Sequence, residues 1–354
     1  MKKLVFAALA IGAMAACTKS AVQYEQTGEI CLQPVAQKAT KAAVDGTFYP
    51  ADEEHEFNVW ANWHAVTNEG TSSFGEPYIN QGTFSARDLV VWGGKDPKYY
   101  WPTTGQLAFA GYSPAKAKDN AEFNYSFTDK TITIKGYTQD TDISQTNDLM
   151  WFDFDGNYYT NPGTTQANSV PVTFKHALSW LTFKFNLKES STPRNWVVKN
   201  LTLKGIETIG DFNSANIDSN PKDAWTFAEN AVPYEVTVYS QPNSQPKEIS
   251  YNENPEALEN TPNGVLIIPQ ACDWSNASLV VTYDLKKQGV KDNQGNETYL
   301  QDQKVTLDLS VGVDNNKWLP GKHYIYTIIF GANEILISPD VKDWTDEYVN
   351  IEVQ

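Results

Sequence analysis

The sequence predicts an all-β chain. Apolar residues recur at every second position in several short segments. Thr, Tyr, Val, Ile and Phe are plentiful, and 21 Gly and 18 Pro punctuate them, as strands alternating with turns require. At 354 residues the chain exceeds one ordinary sandwich core, so two domains of about 150 residues each are expected.

The first element is a leader. Lys2 and Lys3 precede an apolar run, Leu4 to Ala16, that ends on small residues before Cys17, the layout of a secretory signal peptide over residues 1–16. At ~1.5 Å per residue the run is too short to cross a ~30 Å hydrocarbon core. Small residues ending on Cys resemble a bacterial lipobox, with Met14 where Leu is usual. That makes Cys17 a lipidation site and the exported chain membrane-anchored. An ordinary signal peptide with an incidental Cys17 is the alternative.

A polar tether then leads to "GEICLQPVAQ", where Ile30 and Leu32 share one face of a short strand. "KATKAAVDGTFYPADEE" reads as an exposed loop open to a protease. From "HEFNVWANW" onward, short strands alternate with turns; in "KTITIKGY", Ile132 and Ile134 face one way and Thr131, Thr133 and Lys135 the other. The low-complexity stretch 161–171 marks a boundary, giving domains at 42–165 and 166–354. The second half has cleaner period-two strands: Leu181, Phe183, Phe185 and Leu187; Leu279, Val281, Tyr283 and Leu285; Val305, Leu307, Leu309 and Val311. Each apolar face needs a facing sheet, so this half is a β-sandwich.

A net charge of -16 repels phosphate backbones and anionic headgroups, so no nucleic-acid partner is expected. The cysteines are Cys17, Cys31 and Cys272, too few for a disulfide framework. A Cys31–Cys272 bridge and a buried free Cys272 both stay open. His55, His64, His176 and His323 lack any ligand spacing, so no metal site is expected. Asp153, Asp155 and Asn157 have the first three spacings of a calcium loop, but Tyr158 stands where glycine must turn and Thr164 where Glu belongs. The segment reads as a hairpin turn. No nucleophile elbow, phosphate loop or carboxylate couple appears, so neither an enzyme nor a cofactor is predicted. Eleven Trp and 18 Tyr leave two readings, core packing or aromatic platforms for sugar rings at Trp60, Trp63, Trp92 or Trp101. The second reading makes the chain a surface-anchored glycan-binding lipoprotein.

"FKHALSWLTFKFNL" and, more specifically, "WLPGKHYIYTIIFGANEILISPDVKDW" resemble the fimbrillin family, the type V pilins of Bacteroidales-type bacteria. The second segment combines a Trp-x-Pro-Gly-Lys turn, a Tyr-rich strand, a hairpin and an Ile/Val strand closing on Trp. The lipobox and the "DGTFYPADEEHEFNVWANW" start agree. The resemblance implies two transthyretin-like β-sandwich domains in tandem. It implies an outer-membrane lipoprotein precursor whose N-terminal propeptide, residues 17–41, is removed at the surface, and a mature subunit in a cell-surface fimbrium. Cys17 is then a temporary anchor holding the chain to the membrane through its lipid. In the family the cut commonly follows Arg; the matching position here is Lys41, with Lys38 second, so either a Lys-tolerant protease acts or the chain is an uncleaved anchor-type subunit.

Excising the Ile30–Leu32 strand would open an apolar groove with unpaired backbone. The terminal "EYVNIEVQ" has Val349, Ile351 and Val353 on one face, as a donor strand should. The expected partners are therefore other fimbrial subunits, head to tail or at tip and anchor, together with a processing protease. The alternative is that this tail completes its own second domain.

Overall fold

The computed structural model describes residues 28–36, 49–65, 75, 77–140, 142, 146–161, 169–191, 195–228, 233–241, 248–253, 255, 264–295, 297–331 and 335–343. Within them the chain is all-β, with short 3-10 turns and no α-helix.

The N-terminal half contributes β1 (Cys31–Ala36), β2 (Phe57–His64), β3 (Pro77–Ala86), β4 (Trp92–Gly94), β5 (Gln106–Ser113), β6 (Glu122–Ser126), β7 (Thr131–Thr138), β8 (Met150–Phe152) and β9 (Val170–His176). Seven of them close into a barrel in the order β1-β4-β3-β2-β5-β8-β9. The hydrogen-bonded ladder runs all the way round. Its interior is aromatic and aliphatic: Tyr49, Phe57, Phe84, Trp92, Phe152 and Phe174 pack with Ile30 and Leu32. Tyr49 corrects the reading of residues 38–54 as wholly exposed loop, since its ring is buried and stacks on Phe174 at 5.1 Å.

The C-terminal half contributes β10 (Ser179–Leu187), β11 (Trp196–Ile206), β12 (Ile209–Asn213), β13 (Trp225–Thr226), β14 (Tyr234–Ser240), β15 (Val265–Ile267), β16 (Ser278–Lys291), β17 (Glu297–Asp308), β18 (Lys322–Phe330) and β19 (Ile335–Asp343). Two four-stranded sheets, β15-β10-β18-β19 and β14-β11-β16-β17, share one core. The alternation read from sequence places Leu181, Phe183, Leu279, Val281, Leu307 and Leu309 in it. Val311 departs, 47% exposed, because β17 ends at Asp308 and the chain turns before it.

Three strands, β9, β12 and β13, cross the expected boundary at 165. β9 follows the 161–171 stretch yet belongs to the barrel, pairing β1 in parallel and β8 antiparallel. The barrel therefore ends at His176. A further sheet, β13-β12-β7-β6, mixes strands of both halves. It packs on outward barrel residues Trp60, Tyr112 and Trp151, and Leu266 and Ile268 of the second half join the same core. Gln139 fastens this junction, donating to Leu266 O at 2.8 Å and accepting from Ile268 N at 2.9 Å. The halves thus share a core rather than hanging on a linker.

The expected hairpin turn at 153–157 is instead an excursion within one strand path. Phe152 pairs Gly111 and Tyr159 pairs Leu107, both along β5, and the chain between them loops out. Asp155 accepts from Asn157 N and Tyr159 OH, each at 2.9 Å, which fills it without a cation. Thr164 lies outside the described residues.

In the sandwich, His323 stacks on Trp180 with centroids 3.4 Å apart and its Nε2 lies 2.9 Å from Thr182 Oγ1. Burial, then Lys342 and Lys184, push its pKa down to about 4. The folded state thus keeps His323 neutral while the unfolded chain takes a proton from about pH 6.5 downward, so stability is full above that pH and falls as pH drops toward 4. Urea unfolding at pH 7 and pH 4.5 will show a loss that His323→Gln reduces.

Candidate functional site

The sequence-predicted residues Ile30 and Leu32 are brought together in one site, the wall of the barrel closed by β1. Both are fully buried. Alternation explains this: Ile30, Leu32 and Pro34 face the interior, while Cys31, Gln33 and Val35 are half-buried on the other side.

Three stretches of main chain hold β1. Ile30 N donates to Tyr99 O and Trp101 N to Gly28 O, each at 2.8 Å. Cys31 and Leu32 pair antiparallel with Gly93 and Trp92 of β4. Leu32 to Ala36 then run parallel to Val170–Phe174 of β9. Pro34 lacks an N–H, and it sits beyond the β4 ladder, where that donor is not needed on that side. Removing β1 therefore leaves both β4 and β9 with open edges and uncovers Trp92, Val170 and Phe174 inside.

Glu29, just ahead of β1, is fixed electrostatically. Its Oε1 accepts from Arg87 Nη2 at 2.8 Å and Nε at 3.2 Å, and Lys98 Nζ lies 3.7 Å from Oε2. A Cβ at Gly93 would lie 2.7 Å from Glu29 Oε1 and 2.8 Å from Arg87 Nε, so glycine lets the ion pair lie across that strand without shifting either side-chain end. Sequence reasoning missed this clamp, because Arg87 lies 58 residues from Glu29 and no local pattern joins them. Burial, then Glu29, raise the pKa of Cys31, which keeps it a thiol.

Cys17, Lys38, Lys41, Val349, Ile351 and Val353 lie outside the described residues. The glycan platform is corrected. Trp92 and Trp101 are inside the barrel and Trp60 lies under the β6–β7 sheet. Trp63 is half-buried, its Nε1 tied to Thr104 O at 2.9 Å. No coplanar exposed row exists among them, because these rings supply the burial that two adjoining cores need. Cys31 and Cys272 are both free, one in the barrel wall and one in the sandwich core. Burial, then Asp273, lift Cys272 to about 12. Among the described residues no group of His, Cys, Asp and Glu gathers as a metal site, and no helix is long and apolar enough to cross a membrane. A cleft of about 360 Å³ opens where β8 and β9 part, lined by Phe152, Asp153, Val170 and Lys175; Asp153 is bonded to Tyr125 OH.

A fimbrillin-like family model matches residues 40–344. The chain belongs to the fimbrillin-like family. This fimbrillin-like protein is similar in fold to a fimbrial protein from Bacteroides vulgatus, with a TM-score of 0.60 at 16% identity, covering 89% of this chain and 99% of that one. A candidate cell adhesion protein from Bacteroides uniformis matches with a TM-score of 0.50 at 14% identity, over 90% of this chain and 98% of that one. No curated protein matches it. The fimbrillin-like family is one of structural proteins rather than enzymes, and these solved structures of similar fold are a fimbrial protein and a candidate cell adhesion protein.

Proposed function

We propose that this subunit polymerises by strand replacement into fimbriae that serve adhesion and biofilm formation. One observation carries the reading: β1 is a wall strand of the barrel, yet it precedes both the 38–41 segment and the family-matched region. Acylation of Cys17 routes the precursor to the outer membrane. A surface protease cuts after Lys41 or Lys38, and residues 17–41 depart with β1. The groove then asks for a strand with apolar residues at alternate positions, which Val349, Ile351 and Val353 of the next copy provide. Donor and acceptor surfaces differ, so the contact is heterologous and repeats into a filament.

The test is sizing of purified full chain before and after cleavage in the 38–41 segment. Cut chain forms oligomers, and cut chain lacking 344–354 stays monomeric. If cut chain with an intact tail stays monomeric, as uncut chain does, the reading fails.

A further inference from the structure

We infer that Arg87 and Lys98 form a carboxylate-reading clamp that sets the direction of the incoming strand. The tail of a second copy enters opposite in direction to β1 and places Glu352 where Glu29 was. This rests on the strand-replacement reading above.

The clamp is a built feature of the groove. Arg87 Nη2 also donates to Gly94 O, so its guanidinium is held by its own hairpin and stays aimed when Glu29 leaves. Gly93 keeps the space above the strand open for a carboxylate. Nearby acids are already engaged: Asp88 Oδ1 accepts from Val90 N and Val91 N at 2.8 Å, and Glu56 pairs with Lys95 at 2.7 Å. Departure of β1 thus leaves two cations facing an empty groove on a strongly acidic chain. An incoming carboxylate restores a charge-assisted, forked contact, and a neutral residue leaves both cations half-shielded and unpaired.

Direction follows from the tail's sequence. The inward positions around the clamp are those of Gly28, Ile30 and Leu32, with Glu29 between the first two. Val349, Ile351 and Val353 can occupy them in either direction. Run as β1 runs, the tail puts Asn350 at the clamp. Run in reverse, Val353, Ile351 and Val349 take the same three positions and Glu352 falls between the first two. Glu347 then reaches the Pro34 position, so the paired stretch ends at Tyr348. With the paired stretch ending at Tyr348, the reversed tail meets β9 antiparallel only at the Leu32 and Gln33 positions and runs parallel to β4, so direction is set by the carboxylate and not by the ladders.

The experiment uses chain cut in the 38–41 segment and lacking 344–354, so that no neighbour's tail fills the groove, and a fluorescent peptide of residues 345–354, with binding read by anisotropy. The Glu352→Gln peptide is expected to bind about threefold more weakly. On Lys98→Gln or Arg87→Gln protein that difference shrinks, Lys98→Gln being the safer variant because Arg87 also braces its hairpin. Direction is read by disulfide formation on Lys98→Cys protein, which will capture the Glu352→Cys peptide ahead of the Asn350→Cys peptide. Equal binding of the wild-type and Glu352→Gln peptides, or preferential capture of the Asn350→Cys peptide, overturns the clamp and leaves strand replacement standing. If no tail peptide binds the cut chain, the underlying reading fails and the clamp falls with it.

Discussion

A chain carrying Leu32→Asp will take up a tail peptide without being cut. Leu32 has no exposed surface and sits between Trp92 and Val170 in the barrel wall. An ionised carboxylate there faces an aromatic interior, at a cost of several kcal/mol. A buried aliphatic side chain such as Ile30 contributes about 1.5–3 kcal/mol in return, so the balance turns against β1 as a whole. The strand lets go while its tether stays covalent, and the groove stands open in uncut protein. Anisotropy of the labelled 345–354 peptide reads this directly, with Leu32→Ile as the variant that keeps β1 seated. If the barrel unfolds and no peptide binds, the groove has no existence apart from β1, and replacement of one strand by another cannot be how subunits join.

Trp92→Ala will be the most destabilising single truncation in the barrel, at about 3–5 kcal/mol. Its ring is fully buried, with centroids 5.2 Å from both Tyr49 and Phe57. Those rings belong to β2 and to the segment before it, so no one element can collapse into the cavity. Trp92→Phe will cost much less, since Trp92 Nε1 has no hydrogen-bond partner among the described residues and loses none. Trp274→Ala, at a residue 58% exposed, will stay within about 0.5 kcal/mol. Guanidinium unfolding of the three variants checks the order.

Local pattern made the strands legible, and long-range pairing hid their arrangement. Ile132, Ile134, Leu181, Phe183, Leu279 and Val281 are inward, as period two requires, because each lies on a half-buried strand. β9 shows the limit. Val170, Val172 and Phe174 alternate with exposed residues, yet nothing local says that they pair with Leu32 and Ala36 in parallel. The β13-β12-β7-β6 sheet is hidden for the same reason, its strands coming from both sides of the 161–171 stretch. The Trp residues were ambiguous because a ring that packs a core and a ring that stacks on a sugar have the same composition. Their burial decides between them. Within the site, Ile30 and Leu32 could be found from their spacing, whereas the Glu29 clamp depends on a hairpin that returns from residue 87 and on Gly93 making room.

β1 and the edges of β4 and β9 that it covers form one structural unit, and strand replacement stands on whether assembled subunits have lost β1. Intact-mass spectrometry of subunits recovered from surface fimbriae answers this. Fimbrial subunits are expected to show a mass beginning after Lys41 or Lys38, without Ile30, Leu32 or lipid, while the membrane fraction holds the acylated precursor. Fimbriae built of subunits that still carry residues 28–36 would contradict strand replacement, because β1 would then occupy the groove that the next copy has to enter.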